Sequence, residues 1–301
     1  MLIQRTRGGL GNQMFQYAFY LARKESGTDI LIDNNYYHNI LVNDRDYNDK
    51  RFFVADKYFN LSLNKDKYFN SYYLAYRLYF SAINRRFKIF PKPSFLNIEI
   101  HTEKGLDYDE DITNVQDGIV FGYFQSEKYF SDSKLQKTLR KCFTMKEKYR
   151  TDTYLDLEKR IVSDPCSISI HIRREDYLRD YNVPVYGNIC TDTYYRNAID
   201  YIKERIPQAH FYIFSDDKKF INNLKIDNST IINQDNRLKD IQEMMLMSKC
   251  RHNIVANSSF SWWAAWLNEN PDKIVLAPDI WINNARQDDI YSDYMIRIKH
   301  N

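Results

Sequence analysis

The chain has 301 residues, room for about two domains at roughly 150 residues each. Lys plus Arg number 43 against 40 Asp plus Glu, a net charge of +3 that excludes a polybasic nucleic-acid tail or an acidic tail as the main theme. With 44% hydrophobic and 28% charged residues, wholesale disorder is excluded, and 8 Gly and 7 Pro leave little room for linkers.

The opening reads as a strand over 2–5, a glycine loop over 7–12, a helix carrying Met14, Ala18, Leu21 and Ala22, a stop at Gly27 and a strand over 30–33. This is the βαβ grammar of a parallel sheet. Residues 34–120 show few clean periods. One helix is predicted there from Tyr73, Tyr76, Phe80, Ile83 and Phe87, ended by Pro91 and Pro93. Residues 118–124 read as a strand. From about 160 strands and helices alternate: strands over 167–172, 211–214, 230–232, 254–256 and 273–277, the last in the chain. Helices are predicted from a cap at Asp192 or Thr193 to Pro207, over 240–249, and from Asn257 to Pro271 with Phe260, Trp263, Ala264 and Leu267 on one face. The expected fold is therefore α/β, with a doubly wound parallel sheet in the C-terminal half and a domain boundary at 155.

No stretch approaches 18 apolar residues, and the N-terminus lacks the apolar region of a signal peptide. Cys142, Cys166, Cys190 and Cys250 form no C-x-x-C pair and have no zinc-ligand spacing, so they read as free thiols in a reducing cytosol. The expected location is cytoplasmic. Around 72–90, Arg77, Arg85, Arg86 and Lys88 lie among aromatics, with Lys65 and Lys67 upstream. A solvated face of a core-packed helix accounts for them; a weak peripheral contact with an anionic membrane face is the alternative.

Four segments fall at carboxyl ends of strands, where open α/β sheets bind ligands. In the first, residues 7–13, three glycines allow close backbone approach to a phosphate or sugar, although a tight turn explains them as well. The spacing is not the dinucleotide fingerprint, because Met14 stands where the third glycine belongs, and no Gly-Lys-Ser/Thr follows. In the second, residues 171–176, two arginines follow a buried strand. A guanidinium fork suits a diphosphate, and Arg174 is expected to pair structurally with Glu175 or Asp176. In the third, Asp216 offers a carboxylate to a guanine edge, against ordinary helix capping at 215–217. The fourth, residues 257–263, gathers hydroxyls and amides at a helix start. Together they suggest a nucleoside-diphosphate compound bound in an interdomain cleft. A D-x-D pattern at Asp44, Arg45 and Asp46 reads as a solvated loop rather than a metal site.

The motifs GGLGNQMFQYA (8–18), HIRRED (171–176), FSDD (214–217) and NSSFSWWAAWLN (257–268) resemble the family 11 glycosyltransferases, mostly GDP-fucose-dependent α-1,2-fucosyltransferases. The resemblance implies a GT-B-like fold of two Rossmann-like domains, with the acceptor side in 1–155 and the donor domain in 156–301. It implies an inverting, metal-independent enzyme without a cofactor, taking GDP-fucose as donor and a galactose-terminated glycan as acceptor, and no nucleic acid. Arg173 would stabilise the diphosphate. Gly9, Gly11, Asn12, His171, Asp216, Ser258, Ser259 and Phe260 would bind the donor. Asp176 would be the catalytic base, with Glu175 and Asp180 as rivals, and acceptor choice would live in 34–120. Two other readings stand beside this one: a metal-dependent transferase using another sugar nucleotide, and a noncatalytic nucleotide-sugar-binding protein.

Overall fold

The computed structural model describes residues 1–33, 53–63, 78–79, 88–89, 99–174, 177–232 and 237–301. Tyr73, Tyr76, Phe80, Ile83 and Phe87 of the expected helix, the Asp44–Arg45–Asp46 pattern, Glu175 and Asp176 lie outside them, as do the basic residues around 72–90 apart from Lys88; Leu78 and Tyr79, within the expected helix, are helical. The chain divides into two compact units, Met1–Thr144 and Met145–Asn301. The division precedes the boundary expected at 155, which falls inside a helix, Asp152–Ser163. Each unit is built on a wholly parallel sheet, as the GT-B-like expectation requires.

In the first unit β1 (Leu2–Arg5), α1 (Leu10–Glu25) and β2 (Ile30–Asp33) are followed by a short helix α2 (Ala55–Tyr58). Then come β3 (Ile100–Thr102), α3 (Glu110–Asn114), β4 (Gly118–Phe121) and α4 (Ser133–Cys142). The strand order is β2-β1-β4-β3. Met14, Phe15, Tyr17, Ala18, Phe19 and Tyr20 of α1 are all buried, so the helix is a core element on most of its circumference. It begins at Leu10, earlier than expected: Gly11 and Asn12 belong to its first turn rather than to a loop. β4 ends at Phe121, before the predicted limit, and Phe124 adopts a positive φ of 53° that no strand accommodates.

The second unit opens with α5 (Asp152–Ser163). Next come β5 (Ser167–Ile172), α6 (Val183–Tyr186), α7 (Asp192–Arg205), β6 (His210–Ser215), α8 (Lys218–Leu224) and β7 (Ser229–Ile231). α9 (Asp240–Lys249), β8 (His252–Ile254), α10 (Ser259–Leu267), β9 (Val275–Pro278) and β10 (Met295–Ile298) complete it. The order β10-β9-β8-β5-β6-β7 makes β5 an interior strand, and all six of its residues are buried. Ile168, Ile170 and Ile172 enter the main apolar cluster. On the opposite face the serines find polar partners: Ser169 accepts from Asn253 Nδ2 at 2.7 Å, and Ser167 from the Arg251 amide at 3.1 Å.

Several predicted bounds move. Thr191, not Asp192 or Thr193, caps α7 by accepting the Tyr194 amide. β8 closes at Ile254, because the Ala256 carbonyl is taken by the Ser258 amide and the Ser261 hydroxyl and the chain turns into α10. α10 is buried on more than one face, with Trp262, Trp263 and Trp266 all within the core, so a single apolar face was too narrow a reading. A further strand, β10, pairs with β9 at the sheet edge after the strand expected to be last.

Candidate active site

In a doubly wound parallel sheet, successive connections run outward from a central pair of strands. The crevice at the carboxyl end of that pair is where ligands bind. In the second unit β5, β6 and β7 step one way and β8, β9 and β10 the other, so the switch point lies between β5 and β8. Two of the four predicted segments leave these two strands. His171, the penultimate residue of β5, is 6% exposed, and its ring lies 5.4 Å from that of Phe260 in the first turn of α10. Ser258 caps that helix, its hydroxyl accepting the Phe260 amide at 3.3 Å, and Ser259 is the first helical residue.

The arginines meet the third segment. Because Ile172 pairs with Ser215 in the parallel register, residues 173–174 and 216–217 leave their strands side by side. Arg173 Nε lies 3.5 Å from Asp216 Oδ2, and Arg174 Nε lies 3.2 Å from Asp217 Oδ2. Asp216 Oδ1 also accepts the Arg174 amide at 2.9 Å. Arg174 is thus paired structurally with Asp217; the partners expected for it, Glu175 and Asp176, lie outside the described residues. Its guanidinium also packs over Phe220, 3.9 Å from the ring centroid. Asp217 doubles as the cap of α8, accepting the Phe220 amide at 2.9 Å. Arg173 is the more exposed cation, at 36% against 23%.

Sequence reasoning placed Asn257 in the fourth segment but missed its anchoring role and its partner Cys190. Asn257, 2% exposed, donates through Nδ2 to the carbonyls of Tyr186 and Trp281. Its Oδ1 accepts from the Cys190 thiol at 3.3 Å, and its amide donates back to Cys190 Sγ at 3.4 Å. Burial pushes the Cys190 thiol up to about 12, so it stays protonated and can donate. A buried amide side chain directly before a Ser-Ser cap was the available signal.

In the first unit β1 and β4 lie side by side at the centre of the sheet, and the glycine loop follows β1. Gly8 there has φ +85°, and a Cβ on it would stand 2.5 Å from Asn12 Nδ2, so glycine is required. Gly9 is the N-cap of α1 and makes no side-chain cap bond. Gln125 donates to Asn12 Oδ1 at 2.8 Å, and the Arg7 guanidinium lies 4.3 Å from the Tyr123 ring centroid. Gln13 and Gln16, both fully buried, set the loop. Gln16 exchanges two bonds with the Arg7 backbone. Gln13 donates to the Gly8 carbonyl and accepts the amides of Val54 and Ala55. Among the described residues no cluster of three or more His, Cys, Asp or Glu could hold a metal ion.

The family model of glycosyl transferase family 11 matches residues 1–298. The chain belongs to that family. Among curated relatives, an Escherichia coli protein named alpha-1,2-colitosyltransferase is 32% identical over 93% of this chain and 92% of its own length. A second E. coli relative, the O-antigen biosynthesis glycosyltransferase WbnK, is 29% identical over 97% of this chain and 98% of its own. Of solved structures, the fucosyltransferase NodZ from Bradyrhizobium covers 87% of this chain and 91% of its own, at 12% identity and a TM-score of 0.45. The protein is a glycosyltransferase, and among the described residues no helix is long and apolar enough to cross a membrane.

Proposed function

We propose that this family 11 glycosyltransferase transfers L-fucose from GDP-β-L-fucose, with inversion and without a metal, to the 2-hydroxyl of a galactose-type residue in a glycan. The observation that carries this reading is the pair of arginines leaving β5 at the switch point, across from the capped start of α10. In this reading the acceptor oxygen forms its bond to C1 of fucose as the bond to GDP breaks, and the diphosphate gains negative charge. Arg173, partly exposed, stabilises that charge. His171, Ser258, Ser259 and Phe260 line the donor. Asp216 orients Arg173 through its ion pair in addition to any bond to the guanine edge. Asp176 takes the acceptor proton, with Glu175 and Asp180 as rivals.

A second reading differs only in the sugar. The relative named alpha-1,2-colitosyltransferase supports a colitosyl group, the 3-deoxy counterpart of L-fucose, as the transferred unit. The deciding experiment offers GDP-fucose, GDP-colitose and GDP-mannose with a panel of galactosides, in EDTA, and reads GDP release and the product linkage by NMR. Fucosyl transfer to the 2-hydroxyl that persists in EDTA is the expected result. Turnover confined to GDP-colitose selects the second reading, and turnover that needs a divalent ion overturns the metal-independent mechanism.

A further inference from the structure

The carboxyl end of β5 is crossed by an uninterrupted series of contacts. Arg174 is gripped on the β6 side by Asp217 and Phe220. Its carbonyl accepts the Leu178 amide at 2.9 Å, closing a turn. Within that turn Tyr177 reaches to the β8 side, where its hydroxyl donates to the Asn257 carbonyl at 3.0 Å. The ring is held by Tyr186 of α6, with centroids 5.2 Å apart and planes 25° apart. The receiving residue is itself immobilised by Tyr186, Trp281 and Cys190, as described above. It immediately precedes the cap of α10.

We infer that Tyr177 is a positioning residue: its hydroxyl ties the turn that follows the arginine pair to the helix start that follows β8, and so fixes the two halves of the site relative to each other. The inference rests on the reading of that helix start as part of the donor site. The physical warrant is distance tolerance. A site must be held to about 0.5 Å, and a displacement of about 1 Å can cost ~10²-fold in rate. A side-chain bond bridging two loops at a strand end supplies that restraint, whereas the sheet ladder stops at Ile172. Tyr177 touches no reacting atom in this role.

Tyr177→Phe removes the hydroxyl and keeps the stacked ring. The expected result is a fall in kcat of about tenfold, part of the ~10²-fold that a full ångström would cost. The KM for the sugar nucleotide should change little, and melting should move by no more than about 2–4 °C, the shift expected for the loss of one hydrogen bond. Tyr177→Ala, which also removes the stack, should lower melting further. A readout independent of the donor is amide hydrogen exchange at residues 259–261, which should accelerate in Tyr177→Phe. Exchange at the wild-type rate overturns the tie whatever sugar nucleotide the enzyme uses. Accelerated exchange with wild-type kcat also overturns the inference, since the tie would then be structural only. Failure of wild-type protein to turn over any GDP-sugar would defeat the functional reading instead, and is separately visible.

Discussion

The two units solve the same geometrical problem with different chemistry. Each has a parallel sheet in which a loop at the carboxyl end of a central strand must be held steady. In the first unit the loop after β1 is fixed by neutral side-chain amides, Gln13 and Gln16, bonded to backbone groups. In the second unit the loops after β5 and β6 are fixed by two adjacent arginine–aspartate pairs. Neutral amide bonds in a buried place hold a shape and add no net field. Arginine–aspartate pairs hold a shape and also keep cationic groups at the strand end, where an anionic leaving group would gain most from them. The first unit also has one such pair, with Arg5 Nε 3.5 Å from Asp33 Oδ2 at the ends of β1 and β2, but Arg5 is 13% exposed against 36% for Arg173, so the second unit offers the more accessible cation.

The sharpest way to break this contrast is Arg173. Arg173→Ala should lower kcat by about 10² or more, the usual loss for one well-placed charge-stabilising donor. Arg173→Lys should recover little, because an ammonium makes no bidentate fork. Melting should stay near wild type. Steady-state kinetics with GDP-fucose and a melting curve decide it: wild-type turnover in a folded Arg173→Ala protein would remove the assignment.

The matching change in the first unit is Gln13→Ala. It leaves the Val54 and Ala55 amides without the acceptor they share and frees the Gly8 carbonyl. The expected loss is about 3 kcal/mol of stability or more, at ~1–3 kcal/mol for each of the three stranded groups. Denaturant titration checks this; no loss would mean that water replaces the side chain.

Arg174→Ala separates charge for structure from charge for chemistry within the second unit. Its pair with Asp217 and its contact with Phe220 are partly buried, so the loss should be about 1–2 kcal/mol of stability, with a kinetic penalty below that of Arg173→Ala. Equal kinetic losses at both positions without destabilisation would mean that both arginines share the diphosphate.

The smallest effect expected is a pH dependence at His252. Burial, followed by the charge of Arg251, lowers its imidazole below the ordinary 6.5, and its Nδ1 accepts the Ile274 amide at 2.9 Å. Between that lowered value and 6.5 the folded protein binds fewer protons than the unfolded chain. Stability present above pH 6.5 is therefore lost as the pH falls through that window. His252→Asn, whose side-chain oxygen can accept the same amide, should flatten the dependence. Melting curves from pH 7.5 to 5.5 should differ between the two proteins by at most about 2–4 °C, the shift of ~1 kcal/mol.

Much of the fold was legible where period and punctuation agreed. The strands at 2–5, 30–33 and 167–172 and the helix at 240–249 stand as read, because buried parallel strands are short apolar runs and helices carry their own stop signals. β10 escaped because an edge strand following an irregular stretch rich in Asn and Asp carries only a weak period. Of the site, the sequence by itself determined the chemical inventory and its address. Two arginines, a carboxylate pair and a serine cap each stand at the end of a strand, since composition and local pattern fix what a loop contains and which element it leaves. The tertiary structure decided which of these groups meet. The β5–β6 register brought Asp217 to Arg174, and the strand order β8-β5 brought Phe260 to His171. Neither partnership is local in the chain. Pairing across a sheet depends on which strands lie side by side, and that order is set by how the connecting helices bury their apolar faces.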